Sequence, residues 1–179
     1  KLAQFVYRTS LMMKPVYDRA RSDKQRVVYA EGEEEVVLRA VQNVVDEGLA
    51  FPILIGRPEI IESRIARMGL RMKAGVDYEV TNINDDPRFN DYWQYYHGLT
   101  GRRGVTVAAA KNLMRSRPTL IAAVMVARGE ADAMLTGVVG RFHKKLGYVR
   151  SVLPLEPRVS STSAMTGVIN QQGVFFFVD

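Results

Sequence analysis

The chain has 179 residues, 47% of them hydrophobic and 25% charged, enough to bury one good core or one and a half domains, and neither disordered nor fibrous in composition. Its formal charge of +6 favours anionic partners, but Arg102-Arg103 and Lys144-Lys145 are the only adjacent basic pairs, so dedicated nucleic-acid binding is disfavoured. Zero cysteines exclude disulfides, thiolate metal ligands and a cysteine nucleophile, and suit a cytoplasmic location; no apolar run reaches bilayer length and the start lacks an export pattern, so no membrane partner is expected.

In chain order, Leu2, Phe5, Val6, Thr9, Met12 and Met13 recur at helical spacing and predict an amphipathic helix. Pro15 interrupts it, and Val16, Tyr17 and Ala20 can resume the apolar stripe. Such a stripe needs cover, from its own domain or from a subunit contact. Arg26–Ala30 is a short β-branched strand that Glu31-Gly32-Glu33 turns into a helix with Val37, Leu38, Val41, Val44 and Val45 on one face and a stop at Gly48. Glu33, Glu34 and Glu35 fall in its first turn, where the helix dipole favours carboxylates, and are read as structural rather than metal-ligating.

Pro52–Gly56 is the next strand, followed by a helix from Pro58 to Gly69 with Ile61, Ile65 and Met68 facing inward, and by a third strand from Tyr78 to Ile83. Strands alternating with helices imply a parallel sheet with right-handed crossovers. Asn84–Pro87 is a turn into a helix ending near Gly98, whose Tyr92, Trp93, Tyr95 and Tyr96 suit a core or a subunit contact better than base stacking; His97 near its end is read as structural. Helices over Val107–Arg115, capped by Thr106, and Pro118–Arg128 follow.

Gly129 then stops the chain, a buried strand runs through Ala133, Met134 and Leu135, and a loop carries Gly137 and Gly140. A small-residue loop at the carboxyl end of a strand can bring backbone N–H groups up to a phosphate. The densest basic cluster, Arg141, His143, Lys144, Lys145 and Arg150, comes next on a helix reaching about Leu153. Pro154 and Pro157 mark a boundary, and Arg158–Ile169 and Gly173–Asp179 read as two strands of a hairpin, the last apolar enough to need both faces covered. The organisation expected is a helical segment over 1–22, an α/β domain over 23–155 and the opening hairpin of a second domain over 156–179.

The chemistry is narrow. Ser160, Ser161, Thr162 and Ser163 offer hydroxyls without a Gly-x-Ser-x-Gly elbow, no His-x-x-x-His or paired Asp motif suggests a metal, and Gly137 with Gly140 lacks the rest of a dinucleotide fingerprint. What survives is binding of a phosphorylated ligand, for which a CoA ester would need cations and a lined groove.

Arg26-Val-Val-Tyr-Ala-Glu-Gly-Glu33, Glu47-Gly-Leu-Ala-Phe-Pro-Ile-Leu-Ile-Gly-Arg-Pro58, Arg103-Gly-Val-Thr106 and Arg128-Gly-Glu-Ala-Asp-Ala-Met-Leu-Thr-Gly137 together resemble the phosphate acetyltransferase family. More narrowly, Phe5-Val-Tyr-Arg-Thr9, Met13-Lys-Pro15, Gly75-Val-Asp-Tyr-Glu79, Asp86-Pro-Arg-Phe89 and Tyr92-Trp93 resemble the C-terminal phosphotransacetylase-like domain of hybrid NADP-dependent malic enzymes. The resemblance covers essentially the whole chain. It implies an α/β fold with a parallel sheet flanked by helices, of the isocitrate/isopropylmalate dehydrogenase-like and phosphotransacetylase-like kind, and a chain forming the first half of a longer module.

It also implies a loss. Where active members carry Ala-Ala-His, a Ser-rich run and Leu-Arg-Pro, this chain has Val138-Val139-Gly140, then Arg141-Phe-His-Lys-Lys145 and Leu146-Gly-Tyr148, so that the family histidine falls on Gly140 and its arginine on Gly147. A second family arginine falls near Thr100. Losing cations that hold phosphate should impair acyl transfer. The resemblance therefore implies a domain without catalytic residues of its own, serving acetyl-CoA-responsive regulation and homo-oligomer assembly in an enzyme converting malate to pyruvate and CO2. No cofactor is expected on this fragment, with NADP and Mg or Mn held by a separate malic-enzyme domain. The candidate ligands for acetyl-CoA or a related acyl-CoA are Thr136, Gly137, Gly140, Arg141, Lys144, Lys145, Arg150, Thr162 and Ser163, with none assigned to a metal. A working phosphate acetyltransferase and a purely structural dimerisation module are the alternatives.

Overall fold

The computed structural model describes residues 13–170 and 172–178. The stripe from Leu2 to Met12 lies outside the described residues, and the first helix, α1, is described over residues 13–22. Lys24–Pro154 forms one compact unit, and the described residues 13–23 and 155–178 belong to another.

The larger unit is built on a four-stranded sheet of β1 (Gln25–Tyr29), β2 (Ala50–Ile55), β3 (Glu79–Thr81) and β4 (Ala133–Leu135), in the order β3-β2-β1-β4. All pairings are parallel, with Val28 opposite both Ile53 and Met134. Successive side chains of a strand point to opposite faces, so Val28 and Ile53 enter one core and Tyr29 and Leu54 the other. α2 (Glu35–Asp46) and α3 (Pro58–Arg67) cover the second face through Leu38, Val41 and Ile61. On the first face lie α4 (Phe89–Thr100), α5 (Val107–Ser116), α6 (Pro118–Ala127) and α7 (Phe142–Val152).

α6 is apolar all round, and Leu120, Ile121, Ala122, Ala123, Val124 and Met125 are all buried, as a helix packed from several sides must be. Tyr92 and Tyr96 of α4 join this core, which bears out the core reading of the aromatic helix. Its flank is covered by cations: Lys111 stands 4.5 Å from the Trp93 ring and Arg115 4.8 Å from that of Phe89. Thr106 caps α5, accepting a hydrogen bond from the Ala109 N–H at 3.2 Å. Gly48 ends α2 with φ +65°, its N–H bonded to the Val45 carbonyl and the next N–H reaching back to Val44.

Several expectations need correction. The turns after Pro15 form as expected, within a helical span over residues 13–22, but Val16 and Tyr17 on it are exposed instead of covered. Only Glu35 lies in the first turn of α2; Glu34 is its N-cap with an extended backbone (φ −71°, ψ 133°), and Glu33 precedes the helix with its carboxylate bound to Arg57. The third strand shortens to Glu79–Thr81, since Asn82 turns the chain by accepting from the Asn84 N–H. β4 is not buried: Leu135 is 54% exposed, and the strand is one of the two edges of the sheet, pairing on one side with β1.

In the smaller unit, β5 (Met165–Ile169) and β6 (Val174–Val178) form an antiparallel hairpin. The expected strand from Arg158 is cut to Met165, which pairs with Val178, so β6 offers no further residue within its span for earlier positions to pair with. Phe176, Phe177 and Val178 are more than 60% exposed instead of covered.

Candidate functional site

The connections leaving β1 and β4 run to opposite sides, so the carboxyl ends of these neighbouring strands form the switch point at which open α/β sheets bind ligands. β1 ends on Tyr29; the N–H of Ala30, the next residue, reaches the Leu135 carbonyl at 3.0 Å, and Glu31 follows at once. Gly32 then passes against β2, with its N–H 3.1 Å from the Ile55 carbonyl. A Cβ there would lie 2.8 Å from that oxygen, so only glycine lets the turn sit this close.

Glu31 is met from β4 and α7. The Thr136 hydroxyl donates to Glu31 Oε1 at 3.0 Å, and the Gly137 N–H points at both carboxylate oxygens, 3.3 and 3.2 Å away. Lys145 forms an ion pair with the same carboxylate and donates to Thr136 Oγ1 at 3.1 Å. Because Thr136 spends its own proton on Glu31, Thr119, 3.1 Å away, is the donor between the two threonines. Lys145 and Glu31 are 15% and 11% exposed, a pair largely withdrawn from water. Burial lowers the Lys145 pKa, and the adjoining carboxylate opposes that by favouring the ammonium.

Beside this pair opens a cleft of about 460 Å³. Its floor is the strand ends at Ala30 and Ile55 with Ile83, and its rim carries Arg117, Arg141, Lys144 and Lys145. Arg117 precedes Pro118 at the start of α6, and its Nε is buried without a hydrogen-bond partner among the described residues. On the opposite wall, Arg57 N–H, Nε and Nη2 donate to Glu33 at 2.9, 2.9 and 2.7 Å, which commits the Nε/Nη2 edge of that guanidinium to the loop after β1. Hydrogen bonding from Arg57 holds the Glu33 carboxyl below its ordinary pKa. A smaller groove, lined by residues that include Thr136, Gly137, Gly140, Phe142, Lys145 and Leu146, adjoins the loop.

The structure brings together Gly140, Arg141, Lys144 and Lys145 on the cleft, and Thr136 and Gly137 on the groove beside it. Arg150 lines neither. Thr162 and Ser163 are exposed in the smaller unit, ahead of β5. Two residues escaped the sequence reading. Glu31 looked like part of a turn, and its seat depends on β4 lying next to β1. Arg117 had one available signal, its place just before a proline that opens a helix. Ser116, the serine on the cleft, donates to the Asn112 carbonyl of its own helix and faces no base in its hydrogen bonding. The cations around the cleft suit an anion, and the hydroxyl set against a base here is that of Thr136, which donates to Glu31.

A parallel sheet with helices on both faces and its loops gathered at a cationic switch point defines an α/β domain of the open-sheet class. The chain belongs to the family described as phosphate acetyl/butaryl transferase, whose sequence model matches residues 11–179. It is 48% identical over 179 residues to an NADP-dependent malic enzyme of Escherichia coli (strain K12), and 47% identical over 180 residues to an NAD-dependent malic enzyme of Rhizobium meliloti (strain 1021). Each match takes in 100% of this chain and 24% or 23% of the relative, so the chain spans about a quarter of their length. Among solved structures it resembles a phosphotransacetylase from Staphylococcus aureus, with a TM-score of 0.80 at 17% identity over 93% of this chain and 49% of that one. At that identity the likeness carries the fold, and it agrees with the expected parallel α/β architecture.

Proposed function

We propose that this chain is the regulatory, acetyl-CoA-responsive and oligomer-forming domain of a malic enzyme, one that converts malate to pyruvate and CO2 with NADP and a divalent metal. The reading is carried by Arg117: a buried guanidinium N–H without a partner, on a cleft rimmed by Arg141, Lys144 and Lys145, calls for an anion. The phosphates of a CoA ester fit that rim, and Ile55, Ile83 and Tyr148 give an apolar wall to its acyl arm. NADP and Mg or Mn would be held by another part of the parent protein, a reading supported by the NADP-dependent malic enzymes of which this chain matches about a quarter.

Regulation then follows from linkage. Acetyl-CoA alters malate turnover only by binding one state of the assembly better than another. Exposed Phe176, Phe177 and Val178 support contact with a second copy. Calorimetry of acetyl-CoA with the full-length protein tests the reading, with Arg117→Gln expected to weaken binding tenfold or more; undiminished affinity in that variant would remove this cleft as the site. Formation of acetyl phosphate from acetyl-CoA and phosphate would favour a working acetyltransferase instead. An oligomer that binds no CoA ester would favour the purely structural module.

A further inference from the structure

The Glu31 carboxylate sits where a bound oxyanion would. It receives the Thr136 hydroxyl at 3.0 Å, the Gly137 N–H at 3.3 and 3.2 Å and the Lys145 ammonium. A hydroxyl, a backbone N–H at a glycine loop and a part-buried lysine are the donor set that recognises a phosphate oxygen. A carboxylate from the protein itself fills that set, and the same side chain lines the open cleft, which gives it somewhere to go. Across the cleft Arg117 Nε lacks an acceptor.

We infer that Glu31 is an internal occupant of an anion pocket formed by Thr136, Gly137 and Lys145, and that a phosphate-sized oxyanion enters this pocket only by displacing it. The inference rests on the anion reading of the cleft, though not on acetyl-CoA as the ligand. Its consequence is a built-in threshold. Each entering anion must replace a seated charge, so the apparent affinity is lowered by the stability of the closed pair. A ligand reaching the pocket also frees a carboxylate into a cleft whose rim carries Arg117, which couples occupancy to a change in the β1 and β4 loops.

The test is calorimetric titration of the full-length protein with inorganic phosphate, comparing wild type, Glu31→Gln, Glu31→Asp and the double variant Glu31→Gln with Lys145→Met, each with its melting temperature. Glu31→Gln should bind phosphate at least tenfold more tightly than wild type, Glu31→Asp should gain less, and the double variant should lose the gain. A folded Glu31→Gln with wild-type affinity overturns the inference, as does a gain that survives loss of Lys145. Should Glu31→Gln fail to fold, Glu31→Asp decides: a gain of threefold or more supports the inference, and no gain overturns it. If neither variant folds, the carboxylate is a structural tie and the inference is wrong. Phosphate lacks both the adenosine and the acyl arm, so failure of acetyl-CoA to bind leaves this result intact.

Discussion

Glu33 and Arg57 join the first two strand ends through three hydrogen bonds, from the Arg57 N–H, Nε and Nη2, at 2.9, 2.9 and 2.7 Å. The pair fixes the loop after β1 to the loop after β2, and so fixes the wall of the cleft. Its hydrogen bonding depresses the Glu33 pKa in the folded state. A depressed carboxyl contributes stability that is complete above its unfolded value and is lost as pH falls through the folded one. Urea unfolding should therefore show wild type losing more stability than Glu33→Gln between about pH 5 and about pH 3. Parallel curves would mean that the pair adds nothing to stability.

Gly32 leaves no space for a methyl group. Its Cβ would meet the Ile55 backbone at 2.8 and 2.9 Å, atoms that cannot turn aside. Gly32→Ala should cost about 1–3 kcal/mol by overpacking. Chemical denaturation measures it, and a neutral substitution would show that the β1 loop moves freely.

Glu130 is held by Tyr92, whose hydroxyl donates at 2.5 Å, by Arg128 at 2.6 Å and by Arg88 at 3.1 Å. Burial alone would raise this carboxyl, and the hydrogen bonds from Tyr92 and Arg128 outweigh it and keep the pKa low. Tyr92→Phe removes one donor from an otherwise satisfied cluster and should cost about 0.5–1.5 kcal/mol. Arg88→Met takes one of three donors from Glu130 and the charged partner from Asp86, and should cost more, because the part-buried Asp86 carboxylate is left without a cation. The same denaturation experiment ranks the two.

Three basic residues of one helix should separate by position. Lys145 is in the ion pair, Lys144 is on the exposed rim, and Arg150 lies off both lined surfaces. Charge reversal should weaken acetyl-CoA binding in the order Lys145→Glu, then Lys144→Glu, with Arg150→Glu unchanged within about twofold. Equal losses from all three would make the attraction a general field effect.

The hairpin gives the last prediction. Phe177→Asp places a charge on a strand whose aromatic side chains are exposed within the chain. If a second copy covers them, light scattering should record a smaller assembly, while a monomer fraction equal to wild type would place the contact elsewhere.

Much of the fold could be read along the chain because its signals are local. The period of Val37, Leu38 and Val41, the stop at Gly48, the cap at Thr106 and the uniform apolarity of α6 each depend on neighbours a few residues away. The limits of the strands were less legible, because a strand ends where its partner does: β5 begins at Met165 opposite Val178, and β4 lies at an edge of the sheet with Leu135 exposed.

The sequence by itself determined the alternation of strands and helices, the family resemblance, and the glycine loop with its basic helix. Only the tertiary structure decided what that loop holds. Glu31 and Thr136 are 105 residues apart and meet at 3.0 Å because β4 crosses to pair beside β1. Arg117 reaches the same cleft from the start of α6. Periodicity carries no information about such pairs, since their contact is set by strand order in the sheet and not by spacing in the chain.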